Sequence, residues 1–265
     1  MWALCSLISA LILILSASQY SNLYDAEECS ITENRCLAVT HDYPYFRELH
    51  LVIYSPYQNE SLLQRVEIKV PKGEDIRRMT PEERLALPVA NEKLGKCDLK
   101  LVSHVNPLAV IPRRLEILNL GLTMPSITAY LTRMAPRPNV TSVEPDPLHS
   151  YMAAKYFGAT EDNLHRIVVN DPMGYLEKNK NSGKTYDAIV ISSPTETFKT
   201  REAVELYYAN LRANGKIGFL MENGFRHFLP NEKFFLQLKK EFQGRCKASH
   251  CGPRMFLECE RQNEG

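Results

Sequence analysis

The chain has 265 residues, of which 44% are hydrophobic and 24% charged, and its formal net charge is +1. That length suits one large domain, or one domain with a small companion, and the apolar fraction is enough to bury a real core. So neutral a balance excludes a global field that recruits nucleic acid or anionic membrane. The short basic pairs Arg77-Arg78, Arg113-Arg114 and Lys239-Lys240 read as solvated surface.

Residues 1–18 are apolar from Trp2 to Leu15 apart from small residues, with Ser16 and Ser18 ahead of Gln19. The apolar stretch is short for a membrane span, which needs ~20 residues, and it reads as a signal peptide cleaved between Ala17 and Asn22. No Lys or Arg precedes the apolar core, so an uncleaved anchor is the alternative. Removal takes Cys5 and leaves Cys29, Cys36, Cys97, Cys246, Cys251 and Cys259, an even set suited to an oxidising compartment. Asn59-Glu60-Ser61 and Asn139-Val140-Thr141 are glycosylation sequons. Together these predict a secreted or lumenal protein with no membrane span after processing.

Residues 20–36 read as a polar lead-in closed by a Cys29–Cys36 bridge. From Leu37 to Val70 the pattern alternates: Leu49, Leu51 and Ile53, then Val66, Ile68 and Val70, mark antiparallel strands with one wet face. The segment between them, SPYQNES, reads as a loop exposing Asn59. Thr80-Pro81-Glu82-Glu83 is a capping box that starts a short helix, stopped before Pro88. Residues 91–112 read as an irregular connector with a strand at Leu99 to Val105.

From Leu115 the chain alternates strand and helix. Leu115 to Leu120 is an apolar run ending in Gly121. Pro125 then opens a helix with Ile127, Tyr130, Leu131 and Met134 on one face, and Val140 to Val143 is a second strand closed by Glu144. A helix follows from Asp146-Pro147 to Phe157, with Leu148, Met152 and Tyr156 inward. Ile167 to Asn170 is a strand, and Asp171 caps the next helix. Tyr186 to Ser192 has the look of a buried strand, and Thr200 to Ala213 of a helix. Lys216 to Met221 is a strand and Asn231 to Gln243 a helix, and residues 246–250 and 255–260 close as a strand pair. This alternation predicts an α/β, doubly wound and mostly parallel sheet over residues 111–265, after a β-rich region over 19–110. The terminal pair would oppose Cys246 and Cys259 at bridging distance, leaving Cys97 for Cys251.

Several segments carry a family likeness. VEPDPLHSYMAAKYFG, VVNDPMGYLEK and YDAIVIS resemble the V-E-x-D-P, acid-ended third strand and Y-D-x-I segments of the spermidine-synthase-like branch of the S-adenosylmethionine-dependent methyltransferase superfamily. The small β region ahead of them also suits that branch, and the resemblance admits a homodimer. It implies cofactor-binding roles for Gly121 in the first loop, Glu144 on the ribose and Asp171 on the adenine. It puts Ser192 where polyamine synthases carry a catalytic aspartate. The chain departs from the family at Thr123, Met124 and Pro125, where further glycines let the backbone approach the ligand. A serine is also a poor general base at Ser192, and the next carboxylate is Glu196.

Other chemistries find less footing. Cys246, His250, Cys251 and Cys259 lack paired CxxC knuckles, so no metal site is expected there. No G-x-S-x-G elbow supports a hydrolase triad. The reading is therefore a secreted or lumenal pseudoenzyme with a binding or structural role and an unknown partner. It has no catalytic residue and no cofactor, or S-adenosylmethionine if the site functions. The alternatives are an active S-adenosylmethionine-dependent methyltransferase and a polyamine aminopropyltransferase.

Overall fold

The computed structural model describes residues 23–30, 35–41, 48–55, 58–88, 96–105, 108, 112–122, 125–192, 194–222, 228–252 and 254–263. The expected signal segment with Cys5, and Thr123 and Met124, lie outside the described residues. The chain divides into two compact units, Met1–Ala90 and Asn91–Gly265.

The first unit is an antiparallel sheet of four strands in the order β1 (Leu23–Ser30), β2 (Arg35–His41), β3 (Glu48–Ser55) and β4 (Gln58–Glu67). The polar lead-in therefore contains a strand, which its composition did not announce. Its apolar content is low, but β2 offers it a ladder partner, with Cys29 opposite Cys36 in register and joined to it. Asn59 is likewise a β4 residue and not part of a loop. β2 buries Leu37, Ala38 and Val39 completely.

The helix after Thr80 is α1 (Pro81–Leu85). Its capping box is complete: the Glu83 N–H donates to Thr80 Oγ1 at 3.3 Å, and the Thr80 N–H to Glu83 Oε2 at 2.8 Å. Arg84 of α1 ties it to the sheet. Its Nε donates to Asp25 Oδ1 at 2.6 Å and its Nη1 to the Met79 carbonyl at 2.6 Å, while His41 Nδ1 meets the other Asp25 oxygen.

The second unit holds a sheet of seven strands in the order β10-β11-β9-β8-β5-β6-β7. These are β5 (Glu116–Leu120), β6 (Asn139–Glu144), β7 (His165–Val169), β8 (Tyr186–Ser192), β9 (Leu211–Glu222), β10 (Cys246–Cys251) and β11 (Arg254–Glu260). β5 to β9 run parallel, and β11 and β10 add antiparallel at one edge. Alternation within the apolar strands feeds two cores. On one face Leu118, Leu120, Ile189 and Ile191 pack with α5 (Pro172–Ser182), α6 (Arg201–Asn210) and α7 (Phe228–Glu241) through Leu176, Tyr207 and Phe234. On the other, Ile117, Ala188 and Val190 pack with α2 (Lys96–Ser103) and α3 (Pro125–Leu131) through Leu101 and Ile127.

Helix α2 replaces the strand expected at Leu99 to Val105. Cys97, Leu101, Val102 and Val105 pack into the core at helical spacing, whereas Leu99, which a strand would have turned inward with Leu101, is 47% exposed. Helix α6 stops at Asn210, sooner than its apolar pattern suggests, because Leu211 pairs with Tyr186 and opens β9. The helix opening at Pro147 is α4 (Pro147–Tyr156), and it buries His149, Ser150, Met152 and Ala153 rather than the face of Leu148 and Tyr156. Cys97 bonds Cys251, tying α2 to β10, and Cys246 bonds its register partner Cys259. Among the described residues no helix is long and apolar enough to cross a membrane.

Candidate functional site

The strand order decides where a ligand could sit. From β5 the chain winds outward through β6 and β7, then returns to place β8 on the opposite side of β5. In an open parallel sheet such a reversal leaves a crevice at the carboxyl ends of the two diverging strands. Gly121, Glu144 and Ser192 stand at the carboxyl ends of β5, β6 and β8, and Asp171 follows the end of β7.

Gly121 has φ +88°, a left-handed conformation that its lack of Cβ permits, and its N–H donates to the Val143 carbonyl at 2.8 Å. The chain therefore turns sharply off β5 toward β6. The next residue, Leu122, is fully buried, and its N–H donates to Glu144 Oε2 at 2.8 Å.

Glu144 is only 4% exposed. Its second oxygen accepts from the Asp146 N–H at 3.2 Å, and His149 Nδ1 stands 3.4 Å from Oε2. Burial pushes the carboxyl pKa up. The His149 contact and the two amides outweigh that and hold the group below its ordinary value. The carboxylate is thus ionised, and three groups of its own chain already engage its roughly four acceptor positions.

The His149 contact escaped the sequence reading, although its signal was there. Asp146 caps α4, its side chain accepting from the Leu148 N–H at 2.9 Å, and Pro147 fixes the first turn. A cap two residues after the strand end folds the third helical position back toward that strand, and His149 occupies it.

Asp171 caps α5, its Oδ2 accepting from the Gly174 N–H at 2.7 Å, and it remains exposed. Ser192 is 4% exposed and pairs in register with Leu220 of β9. Glu196 lies in a 3-10 turn, Glu196–Lys199, with its side chain 75% exposed and bonded to Lys199 Nζ at 2.9 Å. It supplies no acid in place of Ser192. The structure therefore brings Gly121, Leu122 and Glu144 into one bonded group, with Asp171 and Ser192 at the same sheet end but engaged separately.

Two polar clusters lie elsewhere. At the opposite end of β8, Asp187 is 3% exposed and accepts from Arg113 Nη1 at 2.6 Å, Arg212 Nη1 at 2.7 Å and the Glu116 N–H at 2.8 Å. Arg113 is thus an ion-pair partner instead of plain solvated surface, while Arg114 is exposed. His165 Nε2 lies 3.0 Å from Ser142 Oγ and its Nδ1 2.7 Å from the Thr160 carbonyl. That pairing has the form of a nucleophile and base, but Ser142 is fully buried.

No family model matches the sequence. Among curated proteins, the eEF1A lysine and N-terminal methyltransferase homolog of Drosophila pseudoobscura pseudoobscura is 27% identical over 75 residues. The match takes in 28% of this chain but only 11% of that protein. A probable spermidine synthase from Corynebacterium glutamicum superposes with a TM-score of 0.64 at 12% identity, covering 91% of this chain and 80% of its own. Human methyltransferase-like protein 13, solved with SAH, gives 0.53 at 19% identity over 63% of this chain and 80% of its own. The longer superposition extends beyond what the second unit alone can supply, so it takes in part of the antiparallel N-terminal sheet. These likenesses show the fold: the chain is built like the spermidine synthase and methyltransferase structures it superposes on.

Proposed function

We propose that the chain is a methyltransferase-fold protein of the secretory pathway that no longer turns over an adenosyl cofactor and acts through binding. The observation that carries this reading is the closure of Glu144. A ribose-binding acid must offer its oxygens to two hydroxyls. Here both oxygens accept backbone N–H groups, and His149 stands against one of them. Displacing even one charge-assisted bond costs ~1.5–3 kcal/mol, and every ~1.4 kcal/mol is about tenfold in affinity. Binding both hydroxyls would displace at least one of these contacts, and with the further loss of approach at the glycine-poor loop a micromolar site is carried toward millimolar.

Ser192 at the end of β8, and Thr, Met and Pro in place of loop glycines, support the same reading. Bridges joining six cysteines support an oxidising compartment, where an adenosyl cofactor is not ordinarily supplied.

An active transferase is the second reading, favoured by the left-handed turn kept at Gly121. Isothermal titration of the purified protein with S-adenosylmethionine and its decarboxylated form separates the two. The proposal expects dissociation constants near millimolar for both ligands, tightening in His149→Ala. Micromolar binding by the unaltered protein overturns it in favour of the transferase.

A further inference from the structure

We propose that the hairpin of β1 and β2 carries a zinc-type metal site that its own disulfide keeps closed: Glu27, Cys29 and Cys36 bind one soft divalent cation once the Cys29–Cys36 bridge is reduced. The arrangement follows from strand geometry. Glu27 and Cys29 are two residues apart and share a face of β1, and Cys36 is directly opposite Cys29 on β2. One ligand atom from each of the three lies within 4.8 Å of the others. Glu27 Oε1 lies 3.3 Å from Cys29 Sγ, a contact without a hydrogen bond because a bridged sulfur carries no proton.

Exposure singles this bridge out. Glu27 and Cys29 are exposed and Cys36 is half-buried, so a reductant can reach the sulfurs from solvent. The bridge between Cys246 and Cys259 has the same cross-strand register, but those residues are 6% and 0% exposed and sit inside the core. In the third bridge Cys97 is half-buried and Cys251 is 7% exposed, less open than the exposed Cys29; exchange rates depend on access to the attacked sulfur, so the hairpin bridge should be reduced first.

The chemistry balances in two steps. A dithiol attacks the bridge, gives up two electrons and becomes a disulfide, leaving Cys29 and Cys36 as thiols. The cation then displaces both thiol protons and takes two thiolates and the Glu27 carboxylate, with water completing a tetrahedron. Zn–S bonds of ~2.3 Å at tetrahedral angles put the sulfurs about 3.8 Å apart, and a Zn–O bond of ~2.0–2.2 Å puts the oxygen about 3.5 Å from each. The 3.3 Å separation of Glu27 and Cys29 already approaches that value. The sulfurs must separate and the Glu27 oxygen must settle at a like distance from Cys36, whose sulfur already lies within 4.8 Å of it, by rotation about side-chain bonds.

The test uses the full secreted chain. It is treated with a limiting water-soluble phosphine, which takes up oxygen from water as the bridge is reduced, then desalted without air and titrated with Zn²⁺ alone. Peptide mapping of the same sample reports which bridges opened. The expected result is no tight uptake by the oxidised protein and one Zn²⁺ per chain, at micromolar or tighter affinity, when only Cys29 and Cys36 are free. Glu27→Gln should weaken that affinity about tenfold or more and leave the reduction unchanged. Cys29→Ser, checked for folding by circular dichroism, should abolish uptake. Equal uptake before and after reduction, full uptake by Cys29→Ser, or opening of Cys246–Cys259 ahead of the hairpin bridge would each overturn the proposal.

Discussion

Gly218 sits in the middle of β9, between Val190 of β8 and Glu258 of β11, with the His104 ring lying over it. A Cβ added there would meet His104 Cε1 at 2.5 Å and Nδ1 at 2.8 Å, about 1 Å inside an ordinary carbon contact. The ring has little room to retreat. It is 3% exposed, its Nδ1 is held by the Leu101 carbonyl, and Phe256 lies 6.2 Å away between ring centroids. Overpacking of this kind costs ~1–3 kcal/mol, offset by the ~0.5–1 kcal/mol that Ala gains over Gly in a strand.

Gly218→Ala should therefore destabilise the α/β unit by roughly 1–2 kcal/mol. His104→Ala alone should also destabilise it, by opening a cavity. In the double variant the new methyl enters the space the ring has left, so the combined loss should fall short of the sum by about 1 kcal/mol or more. Urea unfolding followed by circular dichroism gives the energies, with hydrogen exchange at β9 amides assigning the transition to this unit. Additive losses, or a single Gly218→Ala more stable than the parent, would refute the packing argument.

Four further outcomes are expected. Burial pushes the His104 pKa down from 6.5 to about 4, so the native state favours the neutral ring. The associated stability is complete above pH 6.5 and should be lost as pH falls toward 4, by on the order of 3 kcal/mol; His104→Gln should flatten this slope in pH-dependent unfolding. Asp187→Asn removes the charge shared by Arg113, Arg212 and the Glu116 N–H, and with both arginines partly solvated it should cost about 2 kcal/mol, seen as a thermal midpoint lower by roughly 5 °C. Arg84→Ala leaves Asp25 buried with His41 as its remaining ion-pair partner among the described residues and should destabilise the N-terminal sheet by about 3 kcal/mol, read as faster hydrogen exchange in β1. Glycopeptide mapping should find the sugar on Asn59 in preference to Asn139, whose Nδ2 donates to Glu116 Oε1 at 2.6 Å at the start of an inner strand.

The elements that sequence alone determined are those whose signals are local. The capping box at Thr80 and Glu83, the Asp171 cap, and the apolar runs at 116–120 and 186–192 need only their own neighbours to be understood. The parallel order of the sheet follows from the same alternation, because a short helix between strands leaves few ways back. Elements defined by a partner were not legible. β1 is polar and becomes a strand only because β2 presents a ladder, and α2 reads as a strand until Leu99 is found outside and Leu101, Val102 and Val105 inside.

The candidate site divides in the same way. Gly121, Glu144, Asp171 and Ser192 are recognisable one at a time, since each ends or follows a strand. That Glu144 is turned upon Leu122 and His149 was decided by tertiary structure: the amide comes from a neighbouring strand's loop, 22 residues away in sequence. The link between Asp187 and Arg113 is likewise tertiary, spanning 74 residues. A carboxylate's residue type fixes what it can accept, but only the folded chain fixes which donors reach it. At Glu144 those donors are the backbone N–H groups of Leu122 and Asp146 and a histidine in the first turn of α4.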